Sequence, residues 1–202
     1  MSKLLLATNN QGKIQEYRSL LRGIPFELVT SAQQGIILEV EEKGSSFEEN
    51  ARIKALAFAT ASGLLSLADD SGLQVDALNG EPGVRSHRYA GENATDVEKV
   101  NYLLAQLSEA PSEKRTAHFR CVIALAWPDG RVEYCCGECD GVISLTPRGK
   151  KGFGYDPVFY FPELKKTMAE LPMEIKNNVS HRAKAAKEVC KLLHKLESFV
   201  QP

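Results

Sequence analysis

Two adjacent carboxylates, Asp69 and Asp70, stand inside the apolar run Leu67-Ala68-Asp69-Asp70-Ser71-Gly72-Leu73. Ionised carboxylates are costly beside a buried strand unless something pairs with them, and a bound cation is the commonest partner. The run therefore points to a metal-assisted site on a rigid strand end. The same four residues, Asp-Asp-Ser-Gly, are also good turn chemistry, so a plain turn stands as the other reading. If the flanks are strands, alternation sends the two side chains opposite ways and gives them different jobs. Periodicity does not say which is which.

The rest of the chain narrows the class. Its 202 residues suffice for one domain or two intimate lobes with a real core. A 43% hydrophobic and 25% charged composition is that of an ordinary globular chain, and a net charge of −1 supplies no global field for nucleic acid or an anionic membrane. Basic residues gather only at Arg148-Gly149-Lys150-Lys151 and along the final helical segment. No stretch approaches the roughly 20 apolar residues that span a bilayer. The opening Met1-Ser2-Lys3-Leu4-Leu5-Leu6 is too short an apolar run for a signal peptide. Five unevenly placed cysteines argue against a disulfide framework and make the cytosol the expected location. Cys136-Gly137-Glu138-Cys139 has the spacing of half a zinc site, but nothing completes it, and buried or edge-strand thiols are expected there.

Apolar periodicity alternates strand and helix along the chain. Leu4 to Ala7 reads as a strand, followed by a loop and a helix carrying Ile14, Tyr17 and Leu21 on one side. Phe26 to Val29 is a second strand. Ser46 and Glu49 form a capping box for a helix with Phe47, Ala51, Ala55, Phe58 and Ala59 buried, ended by Gly63. Leu65 to Ala68 and Leu73 to Leu78 are strand-like around the carboxylate pair, and Asn79-Gly80 is a tight turn. Thr95 and Glu98 cap a helix with the stripe Val97, Val100, Leu104 and Leu107. Ala117 to Trp127 and Val132 to Cys136 make a hairpin, with a further strand at Val142 to Leu145 and an apolar segment from Val158 to Phe161. Ser180 caps a last helix burying Ala186, Val189, Leu193 and Leu196. The pattern is α/β, and the central hairpin makes the sheet mixed.

Five segments could carry chemistry. In Thr8-Asn9-Asn10-Gln11-Gly12-Lys13 the helix N-terminus, its dipole and an ammonium make an anion cradle. It is not a Walker loop, because the upstream glycine is missing and Ile14 follows the lysine; an idle capped helix start is the alternative. Glu39 and Glu41 share one face of an extended acidic stretch, and one of them could join Asp69 or Asp70 around Mg²⁺; a solvated acidic loop is the other reading. Asn50 and Lys54 are four apart on one helix face, pointing inward or forming a surface pair. Gly152-Phe153-Gly154-Tyr155-Asp156-Pro157, after Arg148 and two lysines, combines close backbone approach with planar surfaces for a base. In Lys176-Asn177-Asn178-Val179-Ser180-His181-Arg182, cationic side chains at a helix start oppose the dipole, a local rule usually broken for a ligand.

Taken in order, these blocks resemble the inosine triphosphate pyrophosphatase family, the house-cleaning nucleoside triphosphate pyrophosphatases. The resemblance runs from Lys3 to about Leu196. It rests on Thr8 to Lys13, Ser46-Phe47-Glu48-Glu49-Asn50-Ala51, Ala68 to Leu73, Pro82-Gly83-Val84, Ser86-His87-Arg88-Tyr89, Gly152 to Pro157, and Ser180-His181-Arg182.

The resemblance implies a single domain over 1–202, built as an elongated mixed sheet with flanking helices and two lobes around a central cleft. A homodimer is the usual assembly. It implies Mg²⁺-dependent hydrolysis of ITP, dITP and XTP to the monophosphate and pyrophosphate. Thr8, Asn9, Asn10, Gln11, Gly12 and Lys13 would bind phosphates, Glu41 and Asp70 the metal, and Asp70 would accept the proton of the attacking water. Ser71 would contact substrate, and Phe153, Gly154, Tyr155, Asp156, Lys176, His181 and Arg182 would hold base and sugar. Three positions depart from the pattern: Asn9 and Lys151 stand where glycine is common, and His87 where a small residue is usual. Independently, attack at an α-phosphorus needs neutralised phosphates and an oriented water, and a preference for a 6-oxo purine needs donors aimed at O6, for which His181 and Arg182 qualify. A pyrophosphatase for other modified bases, a catalytically silent nucleotide sensor and a nucleic-acid-binding module are the competing readings; the even charge balance disfavours the last.

Overall fold

Seven strands form one sheet in the order β2-β1-β3-β4-β5-β6-β7. A computed structural model describes residues 2–200; Met1, Gln201 and Pro202 lie outside the described residues. The elements are β1 (Ser2–Leu6), α1 (Gln11–Leu20), β2 (Phe26–Thr30), α2 (Phe47–Ser62), β3 (Leu65–Val75) and α3 (Asp96–Gln106). They continue with β4 (Thr116–Ala126), β5 (Val132–Ile143), β6 (Phe159–Phe161), β7 (Lys166–Thr167), α4 (Met173–Val179) and α5 (His181–Val200). β1 pairs in parallel with β2 (Leu4 opposite Leu28) and with β3 (Leu4 opposite Leu65), as crossover helices require. β6 runs antiparallel to β5 and to β7, so the sheet is mixed, as expected.

The chain divides into two compact units, residues 1–70, 121–137 and 182–202 in the first, residues 71–120 and 138–181 in the second. β3, β4 and β5 each run from one unit into the other. The first unit's core joins Leu4, Leu6 and Leu67 with Ile123 and Leu125, covered by Ile14, Tyr17 and Leu21 from α1 and its end and by Ala186, Val189 and Leu193 from α5. The second unit packs Leu73 and Val75 against Val100, Leu103 and Leu107 of the α3 region, with Phe119, Phe159 and Met168. The buried Arg115 guanidinium donates to the carbonyls of Leu107 (2.7 Å), Ala110 (3.1 Å) and Ser144 (3.4 Å), satisfying acceptors beyond the end of α3.

Several expected boundaries move. The carboxylate pair sits within one continuous strand, β3, and not in a turn or at a strand end. Residues 66–70 are all buried, as in a central strand covered on both faces, so the polar pair interrupts the apolar run without breaking the ladder. β5 likewise continues to Ile143 where a separate strand was expected. Gly141 is no breaker: a Cβ there would lie 2.7 Å from the Tyr160 carbonyl, so the glycine lets β6 approach. Cys136 is exposed and Cys139 buried on opposite faces of β5, which separates the two thiols of the half zinc motif.

The α2 cap is one-sided. Ser46 accepts from the Glu49 N–H, but Glu49 turns its carboxylate to the N–H and hydroxyl of Ser45. The α2 stripe is buried as read, and Gly63 closes it in the left-handed region at φ 67°. α3 carries the full Thr95–Glu98 box, but Val97 is 68% exposed and Leu103 takes its place on the inner face. Among the described residues no helix is long and apolar enough to cross a membrane.

Candidate active site

The two carboxylates of β3 face different neighbours. Asp69 Oδ1 lies 3.1 Å from Lys13 Nζ, and Asp69 Oδ2 lies 3.3 Å from the Arg182 guanidinium. Arg182 is in turn held by Glu16 Oε2 at 2.6 Å and lies over the Tyr17 ring. Burial alone would push the Asp69 carboxyl up, but Lys13, Arg182 and Lys54 outweigh it and hold the group well below the usual carboxylate range. Asp69 is a fixed anion at the centre of four charged side chains. Cys121 donates to Asp69 Oδ2 at 3.8 Å, and its thiol, pushed up to about 12 by burial and by Asp69, is no nucleophile.

Asp70 turns toward α2, where Asn50 Nδ2 donates to its Oδ2 at 3.0 Å. Its carboxyl is raised above the ordinary value, chiefly by burial and further by the negative charge of Glu42, against the opposing pull of Lys54, Lys13 and Asn50. Lys54 Nζ donates to the Asp69 carbonyl at 2.7 Å and pairs with Glu42 at 2.9 Å, so it fixes both the strand and the acidic segment. Asn50 also accepts the Gly44 N–H at 2.7 Å, tying down the end of that segment. The Glu41 carboxylate is exposed and pairs with Lys43. Asp70 and the acidic segment through Glu41 and Glu42 offer oxygen ligands only, with Lys54 already paired to Glu42. That set fits a hard divalent ion such as Mg²⁺.

The anion loop is a capped helix start. Asn10 Oδ1 accepts the Lys13 N–H at 3.0 Å, and Thr8 Oγ1 accepts the Asn10 N–H at 3.2 Å. Gln11 and Gly12 occupy the first two helical positions, whose N–H groups have no intrahelical acceptor. Asn9 Oδ1 accepts from Ser31 Oγ at 3.1 Å, which turns this side chain toward the end of β2.

In the second unit, residues 152–156 form a loop closed on itself. Asp156 Oδ2 accepts the Phe153 N–H at 3.1 Å and pairs with Lys176 Nζ at 2.5 Å. Asp96, at the start of α3, accepts the Gly154 N–H at 2.7 Å and pairs with Lys99. Gly152 has φ 75°, and a Cβ there would come within 1.9 Å of Asp156 Oδ2. Lys176 lies 5.4 Å from the centre of the half-buried Phe153 ring, leaving that ring as the planar surface of the loop. Tyr155 is not one: it is buried, and its hydroxyl donates to the Ser86 carbonyl at 2.9 Å. His181 is buried and stacks on Phe119, with ring centroids 4.6 Å apart. Ser71, half-buried, opens this unit directly after Asp70.

Thus the structure gathers Lys13, Asp69 and Arg182 in one cluster, Asp70 beside it on the opposite face of β3, and Phe153, Asp156 and Lys176 in another cluster. Arg182, expected at the base, has its guanidinium on Glu16 and Asp69 instead. Glu16, outside the expected set, is buried on α1 with Ile14 and Tyr17, which the spacing of the apolar stripe does not signal. Asn50 and Lys54, for which a surface pair is the simpler expectation, turn inward onto Asp70 and the Asp69 carbonyl, a difference only tertiary contact decides. The helix α4, which carries Lys176, was missed because its seven residues are too few to show a periodicity.

A mixed sheet with a capped strand–loop–helix unit beside a lysine, a divided carboxylate pair and a glycine–aromatic loop is the framework of a phosphoanhydride-handling α/β protein. The comparisons name the family: residues 4–192 match the Ham1 family, and the chain belongs to it. It is 51% identical over 194 residues to the dITP/XTP pyrophosphatase of Desulforamulus reducens, covering 96% of each chain. It is 52% identical to the dITP/XTP pyrophosphatase of Geobacter sulfurreducens, covering 92% of this chain and 93% of that one. The solved structure of a HAM1 protein from Coxiella burnetii superposes with a TM-score of 0.88 at 43% identity, covering 96% of this chain and all of that one.

Proposed function

We propose that this chain hydrolyses non-canonical purine nucleoside triphosphates, ITP, dITP and XTP, to the monophosphate and pyrophosphate, clearing them from the nucleotide pool. The observation that carries this reading is the division of labour at β3. One carboxylate is locked as an anion among Lys13 and Arg182, and its neighbour holds a raised proton affinity beside Asn50. Family membership and the names of the two relatives support the substrate class.

In this reading Asp70 orients the attacking water and takes its proton, which suits a carboxyl whose proton affinity is raised by burial and by Glu42. Lys13, the Gln11 and Gly12 N–H groups, and Thr8 receive the phosphates, with Asn9 and Asn10 shaping the loop. Asp69 and Arg182 hold Lys13 in place. Asp70 and Glu41, with Glu42 near by, would hold Mg²⁺, whose chemistry is to neutralise phosphate charge. Phe153 offers the base a surface, Gly154, Tyr155, Asp156 and Lys176 frame it, His181 provides a donor for a purine O6, and Ser71 contacts the sugar–phosphate end. Because β3, β4 and β5 each run through both units, residues 1–202 are read as one enzymatic domain. A cytosolic homodimer completes the reading, the dimer being checked by sedimentation.

The test is incubation of purified protein with ITP, XTP, dITP, GTP and ATP in Mg²⁺, with products resolved. Pyrophosphate and a monophosphate from the first three, with little turnover of GTP or ATP, is the expected result. Orthophosphate release, or equal turnover of GTP and ITP, overturns the reading.

A further inference from the structure

On the outward side of β4 and β5 in the second unit, a histidine stands among three carboxylates. His118 Nδ1 lies 2.8 Å from Asp140 Oδ1 and 3.8 Å from Glu138 Oε1. The other ring nitrogen, Nε2, lies 3.4 Å from Asp76 Oδ1. Asp76 Oδ2 in turn accepts from Thr116 Oγ1 at 2.5 Å. One donor atom from each of His118, Glu138 and Asp140 falls within 4.8 Å of the other two. Donors about 2.0–2.2 Å from a single first-row ion stand somewhat closer than this. Rotation of the exposed Glu138 and Asp140 side chains closes the difference.

We propose that His118, Glu138 and Asp140 form a metal site separate from the nucleotide machinery, taking a first-row divalent ion of the Zn²⁺, Co²⁺ or Ni²⁺ type. Three features carry this. The set combines one imidazole with two carboxylates on neighbouring strands of rigid sheet, so the ligands are placed by the fold. Asp76, which accepts from Thr116 Oγ1, lies 3.4 Å from Nε2, placed to become the outer carboxylate of a histidine whose Nδ1, now on Asp140, turns to an ion. And the carboxylates of Asp76, Glu138 and Asp140 bring oxygen donors from β5 and from the end of β3 to one imidazole, a mixed nitrogen–oxygen set of the kind first-row divalent ions take. The imidazole selects against Mg²⁺, which takes oxygen ligands and keeps its waters. Asp76 follows β3, so a bound ion would link the end of that strand to β4 and β5. None of the four residues has a role in the proposed hydrolysis.

The experiment is calorimetric titration of tag-free protein with Ni²⁺ in a large excess of Mg²⁺, for the parent chain and for His118→Gln and Asp76→Asn. The parent is expected to take up one more equivalent than His118→Gln, and Asp76→Asn to keep the stoichiometry with affinity lowered about 10-fold, the usual effect of removing an outer partner. Co²⁺ added to the parent should give a visible ligand-field spectrum that His118→Gln lacks. ITP hydrolysis in Mg²⁺ should be the same in all three proteins. Equal Ni²⁺ uptake and affinity in the parent and His118→Gln, or identical Co²⁺ spectra, overturns the site and leaves the cluster as an ion-pair network. Neither result depends on the substrate the enzyme hydrolyses.

Discussion

The Arg182 guanidinium, at the start of α5, lies 3.3 Å from the carboxylate of Asp69, 113 residues earlier in the middle of β3. Glu16 Oε2 holds the same guanidinium at 2.6 Å, and Lys13 holds the other oxygen of Asp69. A buried charge cluster of this kind links α1, β3 and α5 and gives Lys13 a fixed position. It also separates the two aspartates: Asp69 is consumed by structure, and Asp70 is left with a raised proton affinity.

Asp70→Asn is therefore expected to abolish turnover while leaving nucleotide affinity nearly unchanged, read by pyrophosphate release and by equilibrium binding of ITP. In the metal-free protein the Asp70 carboxyl should titrate above the ordinary carboxylate value of about 4, because burial and the charge of Glu42 disfavour its anion, and added Mg²⁺ should lower it. Should Asp69→Asn prove the more damaging to chemistry in a folded protein, the assignment within the pair is wrong.

Asp69→Asn should act on stability instead. Removing one partner of a buried ion cluster costs about 3–5 kcal/mol, measured by urea unfolding near neutral pH. The sign with pH follows from the depressed carboxyl: Asp69 binds its proton more weakly in the folded chain than in the unfolded one, whose value is about 3.9. Its contribution is thus present above that value and is lost as the pH falls below it. The stability gap between parent and Asp69→Asn should narrow on acidification, and a gap independent of pH would count against the ion pairs.

Gly152→Ala places a Cβ 1.9 Å from Asp156 Oδ2 and 3.0 Å from Lys176 Nζ, at a φ only glycine adopts readily. Displacing the Asp156–Lys176 pair should raise KM for ITP about tenfold, equivalent to roughly 1.4 kcal/mol, with a smaller effect on kcat. Steady-state kinetics separate the two. A fall in kcat at constant KM would remove this loop from base binding.

Arg115→Met should destabilise the protein by about 3 kcal/mol without altering KM. The substitution leaves the Leu107, Ala110 and Ser144 carbonyls without their charged donor while keeping most of the side-chain volume. Thermal unfolding and ITP kinetics on the same preparation test both halves.

Local signals were read well where a single residue or short spacing carries the physics. Thr95 and Glu98 made their capping box, Gly63 ended α2 in the left-handed region, and the α2 stripe from Phe47 to Ala59 is buried throughout. Elsewhere tertiary burial outweighs a local preference. Asp69-Asp70-Ser71-Gly72 has turn chemistry, yet it is strand, because β1 pairs with the strand just before it and both faces are covered. Val97 looked apolar and inward but faces out, since Leu103 already fills the inner surface. Tyr155 looked like a platform for a base and is core, because its hydroxyl finds the Ser86 carbonyl 69 residues away.

The sequence by itself determined the α/β alternation, the mixed sheet and the family, since periodicity, caps and residue type are local properties. Tertiary structure alone decided which carboxylate is anchored and which is poised. That choice depends on Lys13, Glu16 and Arg182 converging on one face of β3 and Asn50 on the other. Electrostatic fields at a buried carboxyl are set by charges a few ångströms away in space, whatever their separation along the chain.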